Sequence, residues 1–183
     1  MFHKKSILFD DLYRYTGQRS WLLFFRYFFF TPGFRYLVYF RNTSNSKFLI
    51  TKIFWKFFLR QCMLRTGIQI PENKNIGPGF KIGHFGMMVM SPEVKAGKNF
   101  NICQGCSVGH AEGKRRGSPT IGDNVCIQAN AVVVGDIKIG NNVLIGANTL
   151  VTMDIPDDCV VVGSPPKIIP RENASSLYIV YYV

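Results

Sequence analysis

The sequence predicts a mainly β chain, a solenoid of short parallel strands preceded by a helical segment, and three observations carry that reading. Aliphatic residues recur every six positions from Ile70 onward. Glycine or another turn former stands beside many of them, as in Ile121-Gly122, Ile139-Gly140 and Ile145-Gly146. The stretch before Ile70 lacks this period and sets arginine and lysine among large aromatics. A helix needs apolar positions about 3.6 residues apart and a strand needs alternation, so a sustained six fits neither alone. It fits stacked coils in which each face is one short strand and a corner, with every coil burying its apolar residues against the next.

Residues 1–67 read as short basic, aromatic helices. Arg14, Arg19, Arg26, Arg35, Arg41, Lys52, Lys56 and Arg60 punctuate apolar runs such as Trp21 to Phe30 and Ile53 to Leu59. Pro32 and Gly33 interrupt the first run, and the polar stretch from Asn42 to Ser46 separates it from the next. No apolar run reaches the roughly 18 residues that a spanning helix requires. Such helices either pack their aromatic face on another subunit or lie on an anionic membrane surface, where charge and apolar insertion act together.

Residues 68–170 carry the hexads. Ile121, Ile127, Val133, Ile139, Ile145 and Val151 are six apart, and Val125, Ala131, Ile137, Val143, Thr149 and Ile155 follow each by four. The larger set is expected inside, and the smaller set at the corners. The pattern runs earlier through Ile70, Ile76, Ile82 and Met88, and then through Ala96, Ile102 and Val108 after a two-residue slip. Between Val108 and Ile121 it breaks over a polar, glycine-rich stretch, which is expected to project as a loop at about 110–119. The apolar tail, 171–183, is expected to cover the last open coil.

The net charge of +11 is concentrated at the start, with 13 Lys/Arg against 3 Asp/Glu in residues 1–75 and 9 against 8 in the remainder. No nucleic-acid reading motif accompanies that charge, so no nucleic-acid partner is expected. The five cysteines are odd in number, and the N-terminus opens on His3, Lys4 and Lys5 rather than an apolar signal, which suggests a reducing cytoplasm. Cys103-x-x-Cys106 lacks the further ligands that zinc needs and reads as packing, so no metal is expected.

Over about residues 66–170 the hexads resemble the hexapeptide-repeat acyltransferases, and the segment from Ile82 to Lys167 resembles the serine acetyltransferase branch of that family. The pieces that carry the resemblance are Ile82 to Gly86 around His84, Gly97 to Gly105, Pro119 to Val125, and Val162 to Lys167. The resemblance implies a left-handed parallel β-helix assembled as homotrimers, paired in some members into hexamers, with active sites in grooves between subunits. It implies acetyl-CoA as co-substrate and a hydroxyl on a small acceptor or sugar. His84 matches the general base, and His110 at the loop is the rival base or a substrate contact. Ala129, Gly146 and Ala147 would line the pantetheine arm, and Lys167 would meet a CoA phosphate.

The departures from that branch concern charge. Gln69 stands where a carboxylate supports the base, Gly83 where an acidic residue precedes it, and Ser118 where a second histidine precedes a proline. Gln69 would orient His84 through a neutral hydrogen bond. On these grounds the sequence favours a sugar hydroxyl, in a capsule, O-antigen or exopolysaccharide precursor, as acceptor. The alternatives are a serine O-acetyltransferase of cysteine biosynthesis and a non-catalytic trimeric scaffold. The expected location is the cytoplasm, with residues 1–67 either buried between subunits or resting on the inner face of the membrane.

Overall fold

The computed structural model describes residues 6–183, and His3 lies outside them. Four helices come first: α1 (Ile7–Thr16), α2 (Trp21–Phe30), α3 (Pro32–Asn45) and α4 (Leu49–Thr66). Helix α3 starts with Pro32, whose missing N–H costs nothing in a first turn. Helix α4 stops where Gly67 adopts a left-handed conformation and returns its N–H to Met63.

The rest winds as a triangular parallel β-helix. One wall contains β1 (Ile68–Gln69), β3 (Met88–Met90), β6 (Ser107–Gly109), β9 (Val132–Val134) and β12 (Leu150–Val151). The second contains β4 (Lys95–Ala96), β7 (Thr120–Ile121) and β10 (Lys138–Ile139). The third contains β2 (Lys81–Ile82), β5 (Asn101–Ile102), β8 (Cys126–Ile127), β11 (Leu144–Ile145) and β13 (Cys159–Val162), closed by antiparallel β14 (Lys167–Pro170).

Register stacks the hexad aliphatics into interior columns. Ile82, Ile102, Ile127, Ile145 and Val161 form one, and Ile76, Ala96, Ile121, Ile139 and Ile155 another. All are buried, and each isoleucine contributes roughly 1.5–3 kcal/mol. The second set of hexad residues, Val125 to Ile155, is buried too. Corner geometry explains the recurring glycines and asparagines. Asn99, Asn124 and Asn142 all take positive φ and pass hydrogen bonds up the stack to Asp158. A Cβ at Gly122 would lie 2.6 Å from Asn141 Oδ1, so the side chain that ties one corner to the next needs glycine beneath it.

The first coil has no predecessor, and the helices supply its missing hydrogen bonds. Tyr36 Oη donates to Ile70 O at 2.6 Å and accepts from Ile70 N. Tyr15 Oη does the same at Ile82. Arg41 donates to the carbonyls of Ile76 and Gly77, and Asp11 accepts from Phe80 N. Burial pushes both phenols well above the ordinary tyrosine pKa, so they remain neutral donors. Helices α1 and α3 therefore cap the solenoid, a task that helical periodicity alone does not reveal.

The tail does not cover the last coil, which ends instead under β14. It runs down the outside of the third wall. Ser175 Oγ donates to Asn124 O, Tyr178 O accepts from Asn101 Nδ2, Tyr181 O accepts from Arg14, and Val183 N donates to Asn99. Ala174 and Ile179 are buried against Cys126 and Leu144. Those two residues face outward from the coil, and the strap removes their apolar surface from water.

Candidate functional site

One edge of the prism, between the third wall and the first, gathers most of the residues singled out in the sequence. Backbone N–H groups of Gly83, Cys103, Gln128 and Gly146 donate to Ile102, Ile127, Ile145 and Val161 at 2.8–3.0 Å, which locks four successive corners in register. The next residue in each coil is His84, Gln104, Ala129 and Ala147. With coils about 4.8 Å apart, His84 and Ala147 are about 14 Å apart along the edge. His84 is exposed at the lower end, Gln104 occupies the corner next to it, and Ala129 and Ala147 place only small side chains on the two corners beyond.

Lys167 continues this edge. It is exposed and pairs with Val162, whose side chain packs where a Cβ on Gly146 would come within 2.9 Å. A basic side chain thus stands beyond the small corner residues, at the end of the edge away from His84. This is a suitable arrangement for an extended ligand with a thioester at one end and phosphates at the other.

Gln104, which the sequence reading passed over, lies between His84 and Ala129. Its Oε1 is buried and has no hydrogen-bond partner among the described residues, an uncommon state for a buried carbonyl oxygen. The signal was available in principle, since a polar amide occupies a corner where two other coils carry alanine. Gly86 allows the fit: with φ at 152°, a Cβ there would lie 3.2 Å from Gln104 Cβ.

Gln69 belongs to the coil that precedes that of His84. It lies on the outer face of β1 beside Val89 and borders a cavity of about 560 Å³ under α4, with Lys56, Arg60 and Glu72 also on its wall. No side-chain hydrogen bond joins it to His84 among the described residues. Glu72 Oε1 meets Lys52 at 3.1 Å, while its Oε2 is buried without a hydrogen-bond partner among the described residues.

His110 stands on another edge, between the first and second walls, where the chain leaves the coil. Ala111 and Gly117 pair antiparallel, so residues 112–116 form an exposed tip. His110 Nδ1 lies 3.3 Å from Glu93 Oε2, and Nε2 lies 3.4 Å from Glu112 Oε1. Ser118 Oγ donates to the same Glu93 oxygen at 3.2 Å and lies 3.1 Å from Ser91 Oγ. Arg115 anchors the tip to Asp154 at 2.7 Å. The Asp154 carboxyl is held below its usual range, first by the Lys138 N–H and then by Arg115. Within one chain the two histidines therefore do not meet; they lie on the two edges that flank the first wall.

The cysteines separate by orientation. Cys106 points inward and its thiol donates to Gln128 O at 3.0 Å, whereas Cys103 is half-buried at the corner. Burial pushes the Cys106 thiol up to about 11 and the Cys126 thiol up to about 12, so both are protonated at neutral pH.

Comparison with known proteins agrees with this architecture. Residues 118–152 match the family described as bacterial transferase hexapeptide (six repeats). The serine acetyltransferase of Synechococcus elongatus is 35% identical over 112 residues, covering 60% of this chain and 46% of that protein. The Staphylococcus aureus serine acetyltransferase is 42% identical over 110 residues, covering 59% and 51%. This chain thus spans about half the length of those curated relatives. Among solved structures, Neisseria gonorrhoeae serine acetyltransferase in complex with serine superposes with a TM-score of 0.72 at 30% identity, covering 88% of this chain and 67% of that one. The fold is accordingly the left-handed form of the parallel β-helix. By sequence and by fold, the chain belongs to the serine acetyltransferase family of hexapeptide-repeat transferases.

Proposed function

We propose that the chain is an acetyl-CoA-dependent O-acetyltransferase whose acceptor is the hydroxyl of serine. The observation that carries this reading is the corner edge itself, on which the exposed imidazole of His84, the amide of Gln104, the small Ala129, the small pair Gly146-Ala147 and finally Lys167 follow one another coil by coil. The likeness to a Neisseria enzyme solved with serine supports the choice of acceptor. Carboxylates of Glu93 and Glu112 beside His110, and the neighbouring Lys114, Arg115 and Arg116, offer both signs of charge to a zwitterion.

In this reading acetyl-CoA lies along the edge, its pantetheine arm against Ala129, Gly146 and Ala147 and a phosphate near Lys167. His84 takes the proton from the acceptor hydroxyl as its oxygen bonds to the thioester carbonyl carbon. The tetrahedral adduct then collapses, the C–S bond breaks, and the imidazolium returns the proton to the leaving CoA sulfur. Assembly as a homotrimer completes the site by bringing the loop of one subunit, with His110 and Glu93, to the His84 edge of its neighbour. The exposed Phe85, Met87 and Val89 on that side favour such burial.

A sugar hydroxyl is the second reading, favoured by the uncharged Gly83 beside His84. Purified chain given acetyl-CoA with either L-serine or a hexose, with released CoA followed by a thiol dye, separates the two. Release with serine is the expected result. Release with hexose alone transfers the assignment to sugars. No release with either, together with no thermal shift on adding CoA, leaves only a scaffold.

A further inference from the structure

Helices α1 and α3 provide the side chains that close the solenoid, and among the described residues nothing covers the outer faces of α2 and α4. Those faces are apolar. Trp21, Phe25 and Phe30 on α2 and Ile50, Phe54 and Phe57 on α4 are all more than half exposed, Phe30 at 82% and Ile50 at 83%. The two helices flank α3 and border a common cavity of about 230 Å³ between Phe28, Phe29, Phe58 and Gln61. An apolar surface of this extent marks an interaction site.

Charge decides what it meets. No Asp or Glu occurs between Asp11 and Glu72. Glu72 reaches Lys52 and Lys56, whereas Arg26, Lys47, Arg60 and Arg65 form no ion pair among the described residues. Pressing this face against a second copy of itself would bring cations against cations in a surface being emptied of water, a costly arrangement. Anionic lipid headgroups reverse the sign of that interaction, and aromatic side chains are at home at the headgroup boundary. No helix among the described residues is long and apolar enough to cross a membrane, so contact of this kind would be peripheral.

We propose that the α2–α4 face docks this protein on an anionic lipid surface, with its aromatic rings at the headgroup boundary and Arg26, Lys47, Arg60 and Arg65 among the lipid phosphates. The proposal is independent of the acceptor and of catalysis. Its test is flotation of the full chain with phosphatidylcholine vesicles, with and without phosphatidylglycerol. Co-flotation is expected only with the anionic vesicles, weakening as salt rises. The triple variant Phe30→Ser, Ile50→Ser, Phe57→Ser should lower the bound fraction by about tenfold or more, with its helical circular dichroism and mass in solution unchanged. Two results overturn the proposal: failure of the wild-type chain to float with anionic vesicles, or a variant whose mass in solution falls by half. The second would mean that the face joins copies of the chain.

Discussion

Arg41 Nε and Nη2 donate to the two carboxylate oxygens of Asp11 at 2.8 and 3.1 Å, and both side chains are buried beneath the first coil. Burial pushes the Asp11 carboxyl up and the Arg41 guanidinium pulls it back down. The same two residues satisfy backbone groups of Ile76, Gly77 and Phe80. Arg41→Ala would orphan Asp11 and two carbonyls together, so a loss of about 3–5 kcal/mol in urea unfolding is expected. The double variant Asp11→Leu, Arg41→Met should recover part of that loss, since it leaves no buried charge unpaired. Equal losses in the single and double variants would argue against ion pairing as the cause.

His84→Ala should leave unfolding and CoA affinity nearly unchanged while kcat for CoA release falls by about a hundredfold or more. Wild-type turnover in that variant would transfer the role of base to His110. Lys167→Ala should instead raise the KM for acetyl-CoA by about tenfold with kcat little altered, as expected for a residue that binds without taking part in chemistry. A kcat loss matching that of His84→Ala would place Lys167 nearer the reacting atoms than the structure suggests.

Glu93 is shared by His110 and Ser118. Glu93→Gln keeps the shape but removes the charge, and the KM for the acceptor should rise by about tenfold while the KM for acetyl-CoA holds. His110→Ala should behave in the same direction. An unchanged acceptor KM in both would remove the loop base from acceptor recognition.

The buried thiols give a test of the packing. In native protein a thiol dye should modify Cys103 first and slowly, while Cys62, Cys106, Cys126 and Cys159 react only after denaturation. Rapid native modification of Cys106 or Cys126 would contradict their burial and the upward displacement of their pKa values. The slow background also makes dye detection of released CoA practicable.

Much of the solenoid was legible in the sequence because its contacts are periodic: a residue six places on lies on the next wall, so Ile121, Ile127 and Val133 already imply three faces. The corner positions of His84, Ala129, Gly146 and Ala147 follow from the same period. Gln104 was equally periodic, yet only the orphaned Oε1 draws attention to it. Gln69 was expected to orient His84; among the described residues no side-chain hydrogen bond joins the two, and Gln69 borders the cavity beneath α4.

By itself the sequence determined the repeating core, the break at the loop and the concentration of positive charge at the start, because each is a property of residues near one another along the chain. Only the tertiary structure decided that α1 and α3 close the first coil, that the tail is a strap, and that His110, Glu93 and Ser118 form one cluster. Those arrangements join distant positions, as when Arg14 donates to Tyr181 O, 167 residues away. No local period encodes such pairings. They arise because unpaired strand edges and outward-facing apolar residues must find partners wherever the folded chain can supply them.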